Sequence, residues 1–400
     1  MTPSLTLIGM GEDGFDGLSA AARAMIEGAD VIVGSDRLLA MLPATKADRF
    51  CWPSPFDPMT DRIERWSDRR VVILATGDPM NYGVGSLIAP RFKSDLKIIP
   101  APSAFSLAAA RLGWSLPEVE MVSLHGREIA LLAQFLTHGM RIIALTEGDA
   151  TVRSAADMLK SRHFGQSEMT VLEHMGGPSE KIATFSADSL PPDRFADLTT
   201  LAITCIADRD TKPLPRTPGL PDSAYRHDGQ ITKREVRAAT IAALMPMPGA
   251  LLWDIGAGCG SVSIEWMRSA RNARAVAIEP DTMRAQHLKD NADALGTPGI
   301  AVVSGYAPKA LDGLPAPDAV FHGGAVSDSE IFDAGWKALV RGGRFVANAV
   351  TLEAEAALYR RYETYGGELV RIAIANAVPV GNKRAMQPRL TVTQWRAVKP

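Results

Sequence analysis

Twice in this chain a strand-sized apolar run passes directly into a cluster of glycines: LTLIGMGEDG at residues 5–14 and LLWDIGAGCG at residues 251–260. A buried strand that empties into a glycine turn is the opening unit of an α/β sheet whose ligands collect at the strand's C-terminal end. Two such openings, far apart, require two separate sheets. The length agrees, because 400 residues exceed what one hydrophobic core sustains.

Around these runs, short apolar segments alternate with amphipathic ones. In the first half strands are expected at 5–8, 31–33, 71–75, 97–99 and 141–145, and helices at 18–27, 105–112, 129–137 and 151–161. Strands at 169–172, 181–184 and 201–206, separated by polar turns, close that half. Residues 208–221, DRDTKPLPRTPGLP, hold four prolines and no apolar periodicity, and read as an extended linker. Domains are therefore expected at 1–208 and 222–400, with 209–221 between them. In the second, strands 251–255, 275–278, 301–303, 319–322 and 344–349 interleave with helices 233–244, 262–267, 281–294, 329–339 and 352–365. Terminal strands at 368–377 and 390–398 complete it, and both halves are α/β in class.

Composition narrows the partners. The 43 basic and 45 acidic residues give a net charge of −2, without the positive field that non-specific nucleic-acid binding needs. Apolar stretches are only a few residues long, so no membrane span is expected. No basic residue precedes Arg23, so no secretory leader is expected either. Three widely spaced cysteines offer neither a disulfide framework nor a zinc pattern, which suits a reducing cytoplasm and no bound metal. The run 61–70, DRIERWSDRR, reads as an exposed helical turn with paired charges.

The two glycine loops differ in chemistry. Gly9, Gly11 and Gly14 match the dinucleotide fingerprint, with Asp36 downstream, so an NAD(P)-dependent oxidoreductase is one reading. Against it, Glu12 and Asp13 put two carboxylates where a pyrophosphate would lie; a tight turn without a ligand is another reading. In the second loop Gly256, Gly258 and Gly260 follow Asp254, and Glu279 ends the next strand. This arrangement suits S-adenosylmethionine, which carries a sulfonium, an ammonium and a ribose diol but no phosphate. The glycines admit the backbone to the methionine portion, Glu279 can accept the ribose hydroxyls, and Asp254 fixes the loop or faces the ammonium. A structural glycine turn in another nucleotide-binding fold remains the alternative.

Further motifs carry a family resemblance. From residue 222 onward, ITKREVR, DIGAGCG, AIEPD, GYAPKAL, HGG and GGRFVANAVTLE occur in an order that resembles class I, Rossmann-like methyltransferases of the precorrin methyltransferase/decarboxylase type. The first half, with LIGMGEDG, GSDRLL, ATGDPMNYG, PAPSAFSLAAARLG, LHGR and LTEGDATV, resembles the two-lobed tetrapyrrole methylase family. It departs from that pattern at Glu12-Asp13-Gly14, where the family has Pro-Gly. The resemblance implies methylation of two meso carbons of a reduced tetrapyrrole, carbon 5 by the first domain and carbon 15 by the second, with loss of the ring C acetate as carbon dioxide. It implies S-adenosylmethionine at two sites, one per domain: Gly9, Gly77, Asp78, Pro79, Ser103 and Ala104 in the first, and Gly305, Tyr306 and Ala307 beside the Asp254–Glu279 set in the second. Subunits of the first family commonly associate, so a homo-oligomer is expected.

The substrate so implied is a polycarboxylate, for which Lys233, Arg234, Lys383, Arg384 and Arg389 are the cationic candidates. His322, Tyr306 and Asn348 stand at or after strand ends where a group could face substrate, and His322 could move a proton. For each of these, and for His125 in LHGR, a purely structural role is the competing reading.

Overall fold

The computed structural model describes residues 5–400, the side chain of Ser94 excepted. The chain divides into two compact units. One comprises the residues up to Ile129 together with Thr137–Thr211, the other Ala130–Leu136 together with Lys212–Pro400.

The first unit has two lobes. Strands β1 (Leu5–Met10), β2 (Val31–Gly34), β3 (Asp48–Cys51), β4 (Val71–Thr76) and β5 (Leu96–Ile99) form an all-parallel sheet in the order β3-β2-β4-β1-β5. β1 and β4 are central and buried on both faces: Ile8, Ile32 and Leu74 pack on one, Leu7, Val31 and Ile73 on the other. That two-sided burial is why these strands are continuous apolar runs in the sequence. The second lobe joins β6 (Glu120–Ser123), β7 (Arg141–Leu145), β8 (Glu168–Glu173), β9 (Lys181–Ser186) and β10 (Thr199–Thr204) in the order β6-β7-β10-β8-β9, with only β6 and β7 parallel. β3 and β6 have no counterpart among the expected strands. Both are short edge strands, and β3, reading DRFC, is largely exposed, so neither carries an apolar run. The amphipathic stretch expected as a helix at 129–137 is a 3-10 helix over Ile129–Phe135. Of the charged run 61–70, residues up to Glu64 lie in a short helix, Thr60–Glu64, where Arg62 covers the Phe50 ring at 4.3 Å.

In the second unit β11 (Leu251–Ile255), β12 (Arg274–Ile278), β13 (Ala301–Val303), β14 (Ala319–His322) and β15 (Arg344–Ala349) run parallel. β16 (Glu368–Ile372) follows, then a hairpin of β17 (Ala375–Val380) and β18 (Lys383–Pro388), then β19 (Val392–Val398); β19 pairs antiparallel with β15, and β16 pairs antiparallel with β19, so β19 alone runs against the other strands of this sheet. The sheet order is β13-β12-β11-β14-β15-β19-β16, which reverses direction of growth between β11 and β14. A crevice at the C-terminal ends of those two strands is where such a sheet receives a ligand. One face packs Trp253, Val320 and Phe345 with the helices Ser329–Ala338 and Leu352–Tyr365; the other packs Leu252, Phe321 and Val346 with Arg234–Leu244 and Ser261–Ser269.

Two expectations need correction. The strand expected at 368–377 breaks after Ile372, because its partner Val392 is the first residue of β19; the chain then peels off to pair with β18. The linker expected at 209–221 belongs instead, from Lys212, to the second unit. Arg268, only 1% exposed, donates from Nη2 to the carbonyls of Leu214 (2.7 Å) and Pro215 (3.3 Å), and Arg216 Nε donates to Arg268 O at 3.0 Å. Prolines remove backbone donors but keep carbonyls, so a proline-rich segment can be held by buried arginines without forming any element.

Candidate functional site

β11 delivers the loop 256–260 to the crevice between β11 and β14. Gly256 stands at φ +76°, and a Cβ there would lie 2.8 Å from Gly324 N, so the loops after β11 and β14 touch backbone to backbone. Gly258 N donates to Glu279 Oε2 at 2.7 Å and Asp281 N donates to Oε1 at 3.0 Å, which fixes a buried carboxylate with lone pairs to spare. Glu279 is one wall of a cavity of about 940 Å³ that also exposes Gly256, Gly258, Gly305, Tyr306 and Ala307. Its volume is at the upper end for small-molecule sites.

Asp254 does not line this cavity. It is fully buried, and its Oδ2 accepts from Ser263 N (3.1 Å) and Ser263 Oγ (2.7 Å), so it secures the loop to the following helix; Oδ1 has no partner. Burial pushes its carboxyl from 3.8 up to about 6, against the Ser263 hydrogen bonds, with the Glu279 charge adding a small push in the same direction as burial. Between those values the folded state holds a proton that the unfolded state has released. Stability therefore falls as pH rises from about 4 to about 6 and stays at the lower value above. In Asp254→Asn the amide oxygen can take both Ser263 donors and the NH₂ replaces the orphan oxygen. Its urea-denaturation midpoints across pH 4 to 7 are expected to lose that part of the slope, and an unchanged slope would count against this assignment.

The cationic candidates separate. Lys233 and Arg389 line the cavity. Arg389 has only a long contact, 3.8 Å, to Glu235, and Lys233 Nζ reaches a carbonyl, Gly229 O, at 3.3 Å. Arg234 lies instead against Gly219, and Lys383 and Arg384 sit on the wholly exposed β18, outside the cavity wall, because the hairpin carries them away from the sheet. Arg284, absent from the candidates, does line the cavity but is tied to Asp228 at 2.8 Å. Its position in the first turn after AIEPD was the available signal. Tyr306 is 79% exposed at the rim, and Asn348 is part of the wall. His322 is not: its ring is fully buried against Phe345, neither nitrogen has a partner of good geometry, and burial lowers its pKa to about 4. Its neighbours Phe321 and Gly323 face the cavity, and strand alternation turns His322 away.

In the first unit three strand ends converge. A Cβ on Gly9, in β1, would be 2.1 Å from Gly77 O and 2.7 Å from Ala101 N, so the loops after β4 and β5 close directly on β1. Asp78 Oδ1 accepts from Met80 N at 2.8 Å, shaping the turn with Pro79, and Ser103 Oγ caps the helix Ala104–Leu112 through Ser106 N at 3.1 Å. Gly9, Gly77, Asp78, Pro79, Ser103 and Ala104 thus gather at the C-terminal ends of the strands of this sheet. In the LHGR segment Arg127 covers the Tyr82 ring at 5.2 Å, and His125 is exposed, its Nδ1 at 3.4 Å from Thr146 O.

The dinucleotide reading of Gly9, Gly11 and Gly14 has no support in this geometry. Backbone fills the space against Gly9, and the next helix begins only at Ala20, so no helix N-terminus follows the glycines. Glu12, in the middle of the loop, is paired with Arg37 and lies 3.1 Å from His174 Nδ1.

Residues 223–399 match the family described as precorrin methyltransferase domain, and residues 4–191 match the tetrapyrrole (corrin/porphyrin) methylases. A Sinorhizobium protein named precorrin-6Y C(5,15)-methyltransferase [decarboxylating] is 43% identical over 401 residues, covering 100% of this chain and 97% of that protein. The chain belongs to the precorrin-6Y C5,15-methyltransferase family. It also resembles shorter proteins. A cobalt-precorrin-7 C(5)-methyltransferase of Salmonella typhimurium is 30% identical over 44% of this chain and 88% of its own length. A probable cobalt-precorrin-6B C(15)-methyltransferase (decarboxylating) of Sulfurisphaera tokodaii is 31% identical over 44% of this chain and 94% of its own. As a precorrin-6Y C5,15-methyltransferase family member the chain is a methyltransferase, and the α/β sheets of both units are those its sequence resemblance implied. Among the described residues no helix is long and apolar enough to cross a membrane, and no His, Cys, Asp and Glu cluster could hold a metal ion.

Proposed function

We propose that this chain methylates carbons 5 and 15 of precorrin-6Y (precorrin-6B) and removes the ring C acetate as carbon dioxide, giving precorrin-8 in corrin-ring synthesis, with S-adenosylmethionine bound once in each unit. The observation that carries this is the presence, in one chain, of two strand-end sites of different build: the Gly9–Gly77–Ala101 junction and the Gly256–Gly324 crevice. We assign carbon 5 to residues 1–208 and carbon 15 with decarboxylation to residues 222–400. The existence of separate half-length relatives named for the C5 and C15 reactions supports such a division.

S-adenosylmethionine supplies an electrophilic methyl group. The fit rests on an acceptor suited to a neutral diol, since Glu279 retains acceptor capacity at the cavity wall, and on the glycines Gly256 and Gly258, which bring backbone to that wall. In the second unit Glu279 takes the ribose hydroxyls, the glycine loop admits the cofactor against backbone, and Gly305, Tyr306 and Ala307 border it. Lys233 and Arg389 receive acid arms of the tetrapyrrole. Methyl transfer is an in-line displacement that depends on holding the two reactants together and excluding water, so the cavity's mostly apolar wall is sufficient without a strong base. In the decarboxylation the acetate C–C bond breaks, its electron pair enters the conjugated macrocycle, carbon dioxide leaves and a proton returns to carbon. The macrocycle is the electron sink. In the first unit Gly9, Gly77, Asp78, Pro79, Ser103 and Ala104 border the second cofactor site.

Calorimetric titration of the intact chain with S-adenosylmethionine tests this reading: two sites are expected, and the tetrapyrrole product should carry two added methyl groups and lack one carbon dioxide. Saturable NAD(P) binding with no S-adenosylmethionine binding would overturn it.

A further inference from the structure

Behind the cavity wall of the second unit lies a polar triad in an otherwise apolar layer. Thr240, on the helix Arg234–Leu244, is fully buried, Gln394 on β19 is 1% exposed, and Asn348 on β15 lines the cavity. Asn348 and Gln394 are cross-strand partners in the β15–β19 ladder. Thr240 Oγ1 donates to Val236 O at 2.8 Å. Asn348 Nδ2 donates to Thr240 Oγ1 at 2.9 Å, and Gln394 Nε2 donates both to Thr240 Oγ1 at 3.2 Å and to Asn348 Oδ1 at 2.9 Å.

These four bonds fix polarity as well as position. The Thr240 hydroxyl proton is committed to a helix carbonyl, so its oxygen can only accept from the two amides. Turning Asn348 over would set its oxygen against the Thr240 oxygen and its NH₂ against the Gln394 NH₂. Turning both amides over leaves one oxygen–oxygen contact, since a hydroxyl has one proton to give. Only the observed arrangement satisfies every contact. In it the Asn348 carbonyl is held by the Gln394 amide and one of its two N–H groups by Thr240, which leaves its second N–H without a partner in the triad.

We infer that Asn348 presents a fixed N–H donor to an oxygen of the tetrapyrrole, a carboxylate arm or ring carbonyl, and that Thr240 and Gln394 are positioning residues that keep it a donor. This rests on the second-unit substrate site proposed above. Phe321, Ile331, Val236 and Val392 also line that cavity, so Asn348 is a polar mark on a largely apolar stretch of wall and sets how the macrocycle lies within it. A donor there favours the orientation of an arm that is kept. An arm about to lose carbon dioxide gains nothing from it, because its negative charge leaves the carboxylate in the transition state.

The test measures carbon dioxide release by the intact enzyme at saturating S-adenosylmethionine, as a function of tetrapyrrole concentration, with cofactor affinity measured separately. Asn348→Ala and Thr240→Val are expected to raise the tetrapyrrole KM about tenfold, the scale of one hydrogen bond to a charged group, with kcat within about twofold and cofactor affinity unchanged. Thr240→Ser, which keeps the oxygen, should restore wild-type KM. A wild-type KM in Asn348→Ala, or cofactor affinity falling in step with KM, overturns the inference. Should Thr240→Val not fold, Asn348→Ala and Thr240→Ser decide it. If instead the wild-type enzyme releases no carbon dioxide from the tetrapyrrole, the functional reading fails and not this inference alone.

Discussion

Replacing Arg237 by methionine is expected to destabilise the second unit by about 3–5 kcal/mol, the cost of leaving a buried charge without its partner. Arg237 is fully buried on the helix Arg234–Leu244. Its Nε donates to Glu265 Oε1 at 2.6 Å, its Nη1 to Asp222 at 3.2 Å and Thr232 O at 2.5 Å, and its Nη2 to Leu220 O. Glu265, equally buried, also accepts from Gly219 N (2.7 Å), Leu220 N (3.0 Å) and the Tyr225 hydroxyl (3.0 Å). The pair therefore holds the incoming chain from Gly219 to Thr232 against two helices, and the end of that stretch, from Gly229 to Lys233, is cavity wall. In Arg237→Met the Glu265 carboxylate would be stranded. Urea denaturation should show a lower midpoint for the second unit, and S-adenosylmethionine affinity there should weaken as the wall loosens. Pairing it with Glu265→Leu should recover a large share of the stability, since removing both charges avoids the stranded one. Equal midpoints for Arg237→Met and wild type would remove the network from any stabilising role.

This network shows where sequence reading stops. The strands β1, β4, β11 and β14 are legible because two-sided burial writes them as mostly apolar runs, broken only by buried polar residues such as Thr6, Asp254 and His322, and the glycines at the ends of β1 and β11 mark the sites because strand ends must come close there. ITKREVR is visible as a motif, yet nothing local pairs its Arg237 with Glu265, 28 positions on, or shows that prolines 213–221 are gripped by arginines. Long-range hydrogen bonding leaves no periodicity. The same limit applies to the wall residues. His322 and Asn348 look equivalent at the ends of neighbouring strands, but one step of alternation turns His322 into the core, while Asn348 reaches the cavity. Lys383 is as basic as Arg389, and the hairpin that carries it away from the cavity begins only because β19 runs out opposite Ile372.

The largest functional effects are expected from two single methyl groups. In Gly256→Ala the left-handed backbone alone costs about 1–2 kcal/mol, and the new Cβ would press on Gly324 N at 2.8 Å, backbone against backbone, so the strand ends β11 and β14 must part. In Gly9→Ala the Cβ would meet Gly77 O at 2.1 Å and Ala101 N at 2.7 Å, which forces the three loop ends of the first unit apart. Neither obstacle is a flexible side chain that could swing away. If each junction frames its own cofactor site, each variant should titrate with one equivalent of S-adenosylmethionine where the wild type takes two. Gly256→Ala should add a methyl group at carbon 5 and release no carbon dioxide. Gly9→Ala should release carbon dioxide and methylate carbon 15, with carbon 5 unmethylated in the product. Mass spectrometry of the two products distinguishes these outcomes from a single shared site, in which either variant would abolish both methylations. It also distinguishes them from the reverse assignment of the units, in which carbon dioxide release would fail in Gly9→Ala.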